Sequence, residues 1–227
     1  MNDLLNSLQG GLVVSCQAPG DSPLSGPKFM SVMAQAAEQG GAVGIRADGP
    51  EDVSAISQQV NLPVIGIYKR RDLSDTVYIT PDFSSARAVA QAGSDILAVD
   101  GTSRERPGSE DLGELVRKIQ DELALPVMAD ISTPEEALNA EEKGVDLVAT
   151  TLSGYTSYTE DRKNGPDLVL VSELTEAVDV PVVAEGRFQA PNQVVEAFSR
   201  GAHAVVIGTA ITNPVAITRK FTSRLKS

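Results

Sequence analysis

A lysine stands at the end of a short apolar run, where it could carry out acid–base or carbonyl chemistry. The run, Leu62–Ile67, opens with a Leu-Pro pair, is rich in β-branched residues and is too short for a helix. These features are typical of a buried strand in a parallel sheet. Ligands of parallel α/β folds bind beyond the carboxyl ends of the strands, so Lys69 would face a ligand. An ordinary solvated loop lysine is the alternative, and this strand alone does not decide between them.

Other polar residues end apolar runs in the same way. They are Gln17, Arg46, Asp100, Asp130 and Glu185. Any one of them could be a solvated or paired strand-end residue. Six polar side chains, counting Lys69, at equivalent positions predict a shared site, because polar groups that point into one mouth must be paired or used.

Two glycine-rich corners follow the last two predicted strands. They are Gly186-Arg187 and Gly208-Thr209. Glycine leaves backbone N–H groups open to a ligand, and barrel folds commonly bind phosphate between these two loops. The two corners together predict a phosphate site.

Short apolar strands alternate with longer amphipathic stretches along the whole chain, which predicts that each strand is followed by a helix that returns over the sheet. The predicted strands are Leu12–Gln17, Val43–Ala47, Val64–Lys69, Ile96–Asp100, Val127–Ile131, Leu147–Thr151, Val182–Glu185 and Ala204–Gly208. The predicted helices are Lys28–Gln39, Pro50–Val60, Ser84–Ala92, Glu110–Leu123, Pro134–Lys143, Asp167–Val178, Ala190–Ser199 and Pro214–Leu225.

An internal repeat marks the strand starts. A helix-ending glycine precedes the even strands, and a proline precedes odd ones: Gly41, Gly93, Gly144 and Gly201 against Pro63, Pro126 and Pro181. Two βα units that recur about four times predict a single α/β domain over 1–227, a (β/α)8 TIM barrel. A doubly wound open sheet does not predict this spacing. One further extended piece, Val77–Pro81, is interpreted as part of the third βα-loop, on the same face as Lys69.

The charge balance limits the ligand. The chain has 31 Asp and Glu residues against 19 Lys and Arg, a formal net charge of −12. This charge opposes binding to nucleic acid or to an anionic membrane. An anionic ligand therefore needs a local site, which exposed amides and Arg187 could supply.

Several features predict a cytoplasmic protein. The N-terminus lacks a basic segment followed by a long apolar one, and no apolar run reaches the length of a membrane span. The single Cys16 cannot form an internal disulfide, and we expect it to be packed in the core. His203 precedes the eighth strand, away from the active rim, and is expected to be structural.

Several motifs together resemble the N-acylmannosamine-6-phosphate 2-epimerase family. They are Tyr68-Lys69-Arg70, Tyr78-Ile79-Thr80-Pro81, Met128-Ala129-Asp130-Ile131-Ser132-Thr133, Thr150-Thr151-Leu152-Ser153-Gly154-Tyr155-Thr156, Ala184-Glu185-Gly186-Arg187 and Gly208-Thr209-Ala210-Ile211-Thr212. The resemblance spans about 12–221. It implies a barrel of the ribulose-phosphate-binding type that interconverts N-acetylmannosamine 6-phosphate and N-acetylglucosamine 6-phosphate without metal or organic cofactor. It also implies a homodimer that serves amino-sugar and sialic acid catabolism.

The resemblance also implies roles for individual residues. Lys69 matches the family's catalytic lysine, and Glu185 matches its second acid–base group. Sugar contacts match Gln17, Arg46 and Asp130, and the phosphate end matches Gly186, Arg187, Gly208 and Thr209. Many members carry arginine where this chain has Asn213, which leaves open a charged phosphate contact that backbone amides or Arg187 could replace.

Epimerisation at C2 requires a proton to leave the carbon next to the C1 aldehyde of the open-chain sugar and a proton to return on the opposite face. A free lysine has a pKa of about 10.4, so Lys69 would act as a base only with a pKa lowered by burial and cationic neighbours. Alternatively, Glu185 is the base and charged Lys69 stabilises the enolate. The sequence leaves the direction open, and we favour Lys69 at C2. The competing functions are a lyase that forms a Schiff base at Lys69 and a non-catalytic phosphosugar-binding protein.

Overall fold

The computed structural model describes residues 2–70, 76–109 and 111–225. Within them, eight parallel strands pair in sequence order and close into a barrel. They are β1 Leu12–Cys16, β2 Gly44–Asp48, β3 Val64–Ile67, β4 Ile96–Asp100, β5 Val127–Asp130, β6 Leu147–Ala149, β7 Val182–Glu185 and β8 Ala204–Ile207. β1 closes the barrel against β8, in register from Leu12↔Val205 to Val14↔Ile207. The predicted barrel is confirmed.

Helices surround the barrel. They are α1 Asn2–Ser7, α2 Pro27–Gln39, α3 Pro50–Ser57, α4 Phe83–Gln91, α5 Leu112–Lys118, α6 Pro134–Glu142, α7 Leu168–Ala177, α8 Pro191–Ser199, α9 Thr209–Thr212 and α10 Pro214–Thr222. A π-helical turn, Ile119–Leu123, continues α5, and 3-10 turns lie at Pro107–Ser109, Thr150–Leu152, Glu160–Arg162 and Ser223–Leu225. In the part of the chain that the structure describes, no helix is long and apolar enough to span a membrane.

The predicted boundaries differ from the observed ones by a few residues. The predicted fourth helix starts at Glu110, which lies outside the described residues, and α5 begins after Asp111, whose side chain accepts a hydrogen bond from the Gly113 N–H. The prediction did not include α1 or the short α9. The four repeat glycines all have positive φ, between 88° and 106°, as expected for residues that end helices.

The barrel interior is closed at its lower end. Leu5 and Leu8, just before β1, pack into the interior cluster with residues such as Ile65 and Met128. The His203 ring nitrogen lies 2.8 Å from the Leu5 carbonyl oxygen, which ties the N-terminal segment to the start of β8. The structural role predicted for His203 fits this contact. The barrel is therefore open to ligands at the carboxyl ends of its strands.

An antiparallel pairing continues β3 beyond the barrel. Lys69 and Ile79 form an antiparallel bridge, and the Thr80 N–H donates to the Tyr68 carbonyl at 2.9 Å. The Asp100 N–H donates to the Ile79 carbonyl, which attaches this pairing to β4. The extended piece predicted in the third βα-loop is thus confirmed. Its effect is to fix the backbone of Lys69 at the rim.

Candidate active site

The predicted site residues surround one cavity at the carboxyl ends of the strands. The cavity has a volume of about 710 Å³, within the range typical of small-molecule sites. Its lining includes Gln17, Arg46, Lys69, Glu185, Gly186, Arg187, Gly208 and Thr209. Asp130 is fully buried beneath this lining. The two predicted catalytic residues therefore face the same space.

Arg46, the third residue of β2, holds two carboxylates together. Its Nη1 donates to Asp130 Oδ1 at 3.0 Å and to Glu185 Oε2 at 2.8 Å, and its Nη2 donates to Asp130 Oδ2. Its side chain is only 1% exposed. Burial lowers the pKa of Arg46, but Asp130 and Glu185 raise it further, and the net pKa lies above the ordinary value. Arg46 is therefore a permanent cation beneath the cavity.

Glu185 ends β7 in a position suited to proton transfer. Burial raises the pKa of its carboxyl, Arg46 lowers it, Asp130 raises it and Lys69 lowers it, and the net pKa is raised. A raised pKa lies closer to neutral pH, and a carboxyl with such a pKa can both give and accept a proton there. The backbone is also fixed: Thr150 Oγ1 donates to the Glu185 carbonyl at 2.9 Å and accepts from the Glu185 N–H at 3.0 Å.

Thr151, at the end of β6, is a site residue that the sequence analysis did not single out. Its Oγ1 donates to Asp130 Oδ1 at 2.6 Å and lies 3.3 Å from Glu185 Oε2. These two carboxylate oxygens also share Nη1 of Arg46. The signal was available, because Thr151 ends the predicted sixth strand, but threonine is also common within strands and does not stand out there.

Lys69 lies two residues beyond β3, on the other side of the cavity. Its Nζ donates to Gln17 Oε1 at 2.5 Å, and Gln17 Nε2 donates to Ser15 Oγ at 2.9 Å. The Lys69 N–H donates to Asp48 Oδ1 at 2.9 Å. Hydrogen bonds therefore hold both the backbone and the amine of Lys69 in place. The amine lies against Gln17, which also lines the cavity.

Asp100, which ends β4, is the remaining polar strand-end residue of the predicted site, and it binds residues of the following loop instead of lining the cavity. It is fully buried and accepts hydrogen bonds from the Thr102 hydroxyl at 2.6 Å and from Arg104 at 2.7 Å. The Arg104 guanidinium lies over the ring of Tyr78, a cavity residue. Burial and the neighbouring Asp100 raise the pKa of Tyr78 to about 12, so its hydroxyl stays protonated at neutral pH.

The glycine-rich corners expose backbone amides to the cavity. In the described part of the chain, the N–H groups of Gly186, Gly208 and Thr209 make no hydrogen bond. A Cβ on Gly208 would approach Ser15 Cβ to 3.3 Å, so the two strand ends lie close together here. Asn213 also lines the cavity, and its Oδ1 accepts from the Ala216 N–H at 3.0 Å as the N-cap of α10.

Cys16 lies outside the lining of this cavity. Cys16 is fully buried, as expected for a core thiol, and burial followed by the charge of Asp52 raises its pKa to about 12. Among the described residues, no group of three or more His, Cys, Asp or Glu side chains could hold a metal ion.

The arrangement defines a class of protein. A closed parallel barrel with ionisable side chains at its carboxyl rim and open amides after its last two strands is a (β/α)8-barrel enzyme site for a phosphorylated substrate.

The comparisons identify the family. A family model described as "Putative N-acetylmannosamine-6-phosphate epimerase" matches residues 30–227. The chain belongs to this N-acetylmannosamine-6-phosphate epimerase family.

Relatives agree over nearly the whole length. Proteins named "Putative N-acetylmannosamine-6-phosphate 2-epimerase" from Caldanaerobacter subterraneus subsp. tengcongensis and Clostridioides difficile are 48% and 46% identical to this chain. The alignments cover 99% and 98% of this chain and 94% and 99% of the relatives. The solved N-acetylmannosamine-6-phosphate 2-epimerase from Clostridium perfringens superposes with a TM-score of 0.93 at 42% identity, over 97% of this chain and 95% of that one. Thiamine phosphate pyrophosphorylase from Pyrococcus furiosus, at 19% identity and a TM-score of 0.64, shares the fold.

Proposed function

We propose that this protein is an isomerase that interconverts N-acetylmannosamine 6-phosphate and N-acetylglucosamine 6-phosphate at C2 of the open-chain sugar. The observation that supports this most directly is the placement of Lys69 and Glu185 in one cavity that Gly186, Gly208 and Thr209 also line. A proton leaves C2, the electron pair moves into an enolate with C1 and its oxygen, and a proton returns to the opposite face of C2. Atoms and charge balance without any further reactant.

In this proposal two groups act on the two faces of C2. Lys69, fixed by Gln17, acts at C2, and Glu185 is the second acid–base group, which its raised pKa suits. Arg46 places a permanent positive charge close to the developing enolate, which lowers the barrier. Asp130 would serve the sugar indirectly, because it holds Arg46 and Thr151 in place from beneath the cavity.

The substrate's phosphate would bind at the opposite end. Gly186, Gly208 and Thr209 line the cavity, and their N–H groups could bind an anion without adding a titratable group. The charge of Arg187 lies beside them. This local site is how a chain with a net charge of −12 could bind a phosphorylated amino sugar.

A proton NMR time course of N-acetylmannosamine 6-phosphate in deuterium oxide tests the reaction. We expect the two epimers to interconvert and solvent deuterium to appear at C2 of both. Treatment with borohydride during turnover should leave Lys69 unmodified. Carbon–carbon cleavage with a reduced adduct on Lys69 would contradict the epimerase and establish a lyase, and binding with no turnover would establish a phosphosugar-binding protein.

We also propose that the protein is a cytoplasmic homodimer that acts in sialic acid and amino-sugar catabolism. Phe221 and Leu225, at the carboxyl end of the chain, are 70% and 82% exposed, as expected where an apolar helix face is covered by a second copy. A phosphorylated sugar substrate and a lone buried thiol fit a reducing compartment. Light scattering coupled to size exclusion tests the dimer, and a Phe221→Glu variant should shift it to monomer.

A further inference from the structure

The loop between β6 and α7, residues 150–167, forms one wall of the cavity mouth. Thr151, Leu152 and Tyr155 of this loop line the cavity. Tyr155 stands at the rim with 56% of its surface exposed. The wall on the other side of this end is the corner after β7, which begins with Gly186. What holds the two walls together decides the shape of the phosphate end.

The side chain of Arg187 joins these two walls. Its Nη1 donates to the Ser153 carbonyl at 2.6 Å, its Nη2 to the Arg162 carbonyl at 2.7 Å, and its Nε to the Gly165 carbonyl at 2.8 Å. Its guanidinium also lies over the Tyr155 ring, 5.1 Å from the centroid. All three nitrogens of the fork are therefore engaged with one loop before any ligand arrives.

The backbone at this position is unusual as well. Arg187 has a φ of 57°, in the left-handed region that side chains other than Gly, Asn and Asp seldom adopt. Such a conformation persists only where the surroundings hold it, and it is found most often at functional sites. On the loop side, a Cβ on Gly154 would come within 3.0 Å of Arg187 Nη1 and 2.9 Å of the Arg162 carbonyl. The loop is thus packed directly against the guanidinium.

We propose that Arg187 is a positioning residue that fastens the β6–α7 loop to the corner after β7 and so fixes Tyr155 and the Gly186 amide at the phosphate end. This inference rests on the proposed function and deepens it. It differs from the role that the family resemblance implies, in which Arg187 is itself a phosphate contact. A direct contact acts only when substrate is bound, whereas a fastening acts in the unliganded protein.

Hydrogen exchange of the unliganded protein separates these two roles. Arg187→Asn removes the fork but tolerates the left-handed backbone, and Arg187→Lys keeps the charge without being able to reach three carbonyls. We expect amides within 154–165 to exchange at least about tenfold faster in both variants, because three hydrogen bonds are lost. We expect kcat/KM for the phosphosugar to fall about 100-fold in both, mainly through KM, because the anion site is displaced.

The opposite pattern would overturn the inference: unchanged exchange of the loop without substrate, together with activity restored by Lys. Should the Asn variant not fold, Arg187→Lys alone carries the test, because lysine leaves the loop residues unchanged and still removes the three-carbonyl fork. Unchanged loop exchange in that variant would equally overturn the inference. Because exchange is read without substrate, an inactive wild-type protein would refute the proposed function and leave this test readable.

Discussion

The two sides of the cavity are built from different atoms. On the acid–base side, ionisable side chains from β2, β5 and β7 form a buried cluster in which Arg46 serves both Asp130 and Glu185. On the phosphate side, backbone N–H groups of glycine-rich corners face the cavity. A proton gained or lost by one member of the buried cluster changes the electrostatic energy of the others. The amides have no proton to gain or lose near neutral pH.

This difference separates two kinds of effect. Changes on the acid–base side should alter kcat and its dependence on pH, whereas changes on the phosphate side should alter KM and leave the pH profile of kcat in place. The comparison is cleanest above about pH 7, where a phosphomonoester keeps its full charge.

Replacement of Lys69 is expected to have the largest effect. Lys69→Ala removes the amine that Gln17 holds in the cavity, and kcat should fall by up to about 10⁴-fold, the upper range for a lost acid–base group. KM should change little, because the amides at the other end remain. Steady-state kinetics measure both constants. Lys143→Ala, at the end of α6, is the matched control and should keep full activity. A near wild-type rate in Lys69→Ala would remove this lysine from the mechanism.

Glu185→Gln is expected to lower kcat by about 10²- to 10³-fold, because the second acid–base group is lost while the shape is kept. The pH–rate profile should lose the limb that Glu185 causes. An intact limb in this variant would assign that titration to another group.

The same variant also tests the raised pKa through stability. Burial raises the pKa of Glu185 above its unfolded value, so the folded state binds the proton more tightly. Its stabilising contribution is present at low pH and is lost as the pH rises through the raised pKa. Glutamine stays neutral at every pH. The melting temperature of Glu185→Gln relative to wild type should therefore increase as the pH rises above the ordinary glutamate pKa of about 4.3. A difference that falls with pH would contradict the raised pKa.

Thr151 gives a smaller effect on the same side. Its hydroxyl lowers the pKa of Glu185, although burial and the charge of Asp130 raise this pKa, and the net pKa is raised. Thr151→Val should therefore move the acidic limb of the kcat profile to higher pH and lower kcat by about tenfold, the cost of one hydrogen bond to a charged group. Thr151→Ser keeps the hydroxyl and should behave like wild type. Equal profiles for the two variants would show that the hydroxyl only fills space.

The sequence predicted the two sides to different depths. The barrel and its strand ends could be predicted because Gly and Pro punctuate each βα unit, and charged residues at strand ends could be predicted to converge. Thr151 was missed because threonine is a common residue within strands, so its place at a strand end does not stand out. The three carbonyl partners of Arg187 lie 22 to 34 residues away in the chain, and they depend on the path of an irregular loop. No local pattern in the sequence encodes such a path.

The N-terminal segment that closes the lower end of the barrel with Leu5 and Leu8 was missed for a related reason. The segment is short and only becomes meaningful through the apolar barrel interior that it fills. Isolated helices of this length are marginal in water, so tertiary contacts decide whether they form. Strand ends can be predicted from the periodicity of the sequence. A segment that covers the end of the barrel can be predicted only once the closed barrel shows which apolar surface is left uncovered.

Asn213 gives the smallest expected effect and separates stability from anion binding within one residue. Its Oδ1 caps α10, and the same side chain lines the phosphate end. Asn213→Ala should lower the stability by about 1 kcal/mol through loss of the cap while KM stays within about threefold. Asn213→Asp keeps the cap acceptor but adds a negative charge beside the phosphate, so it should keep the stability and raise KM. Thermal melts and steady-state kinetics measure the two quantities. If Asn213→Asp leaves KM unchanged, Asn213 faces the cavity without acting on the anion, and the amides alone define that side.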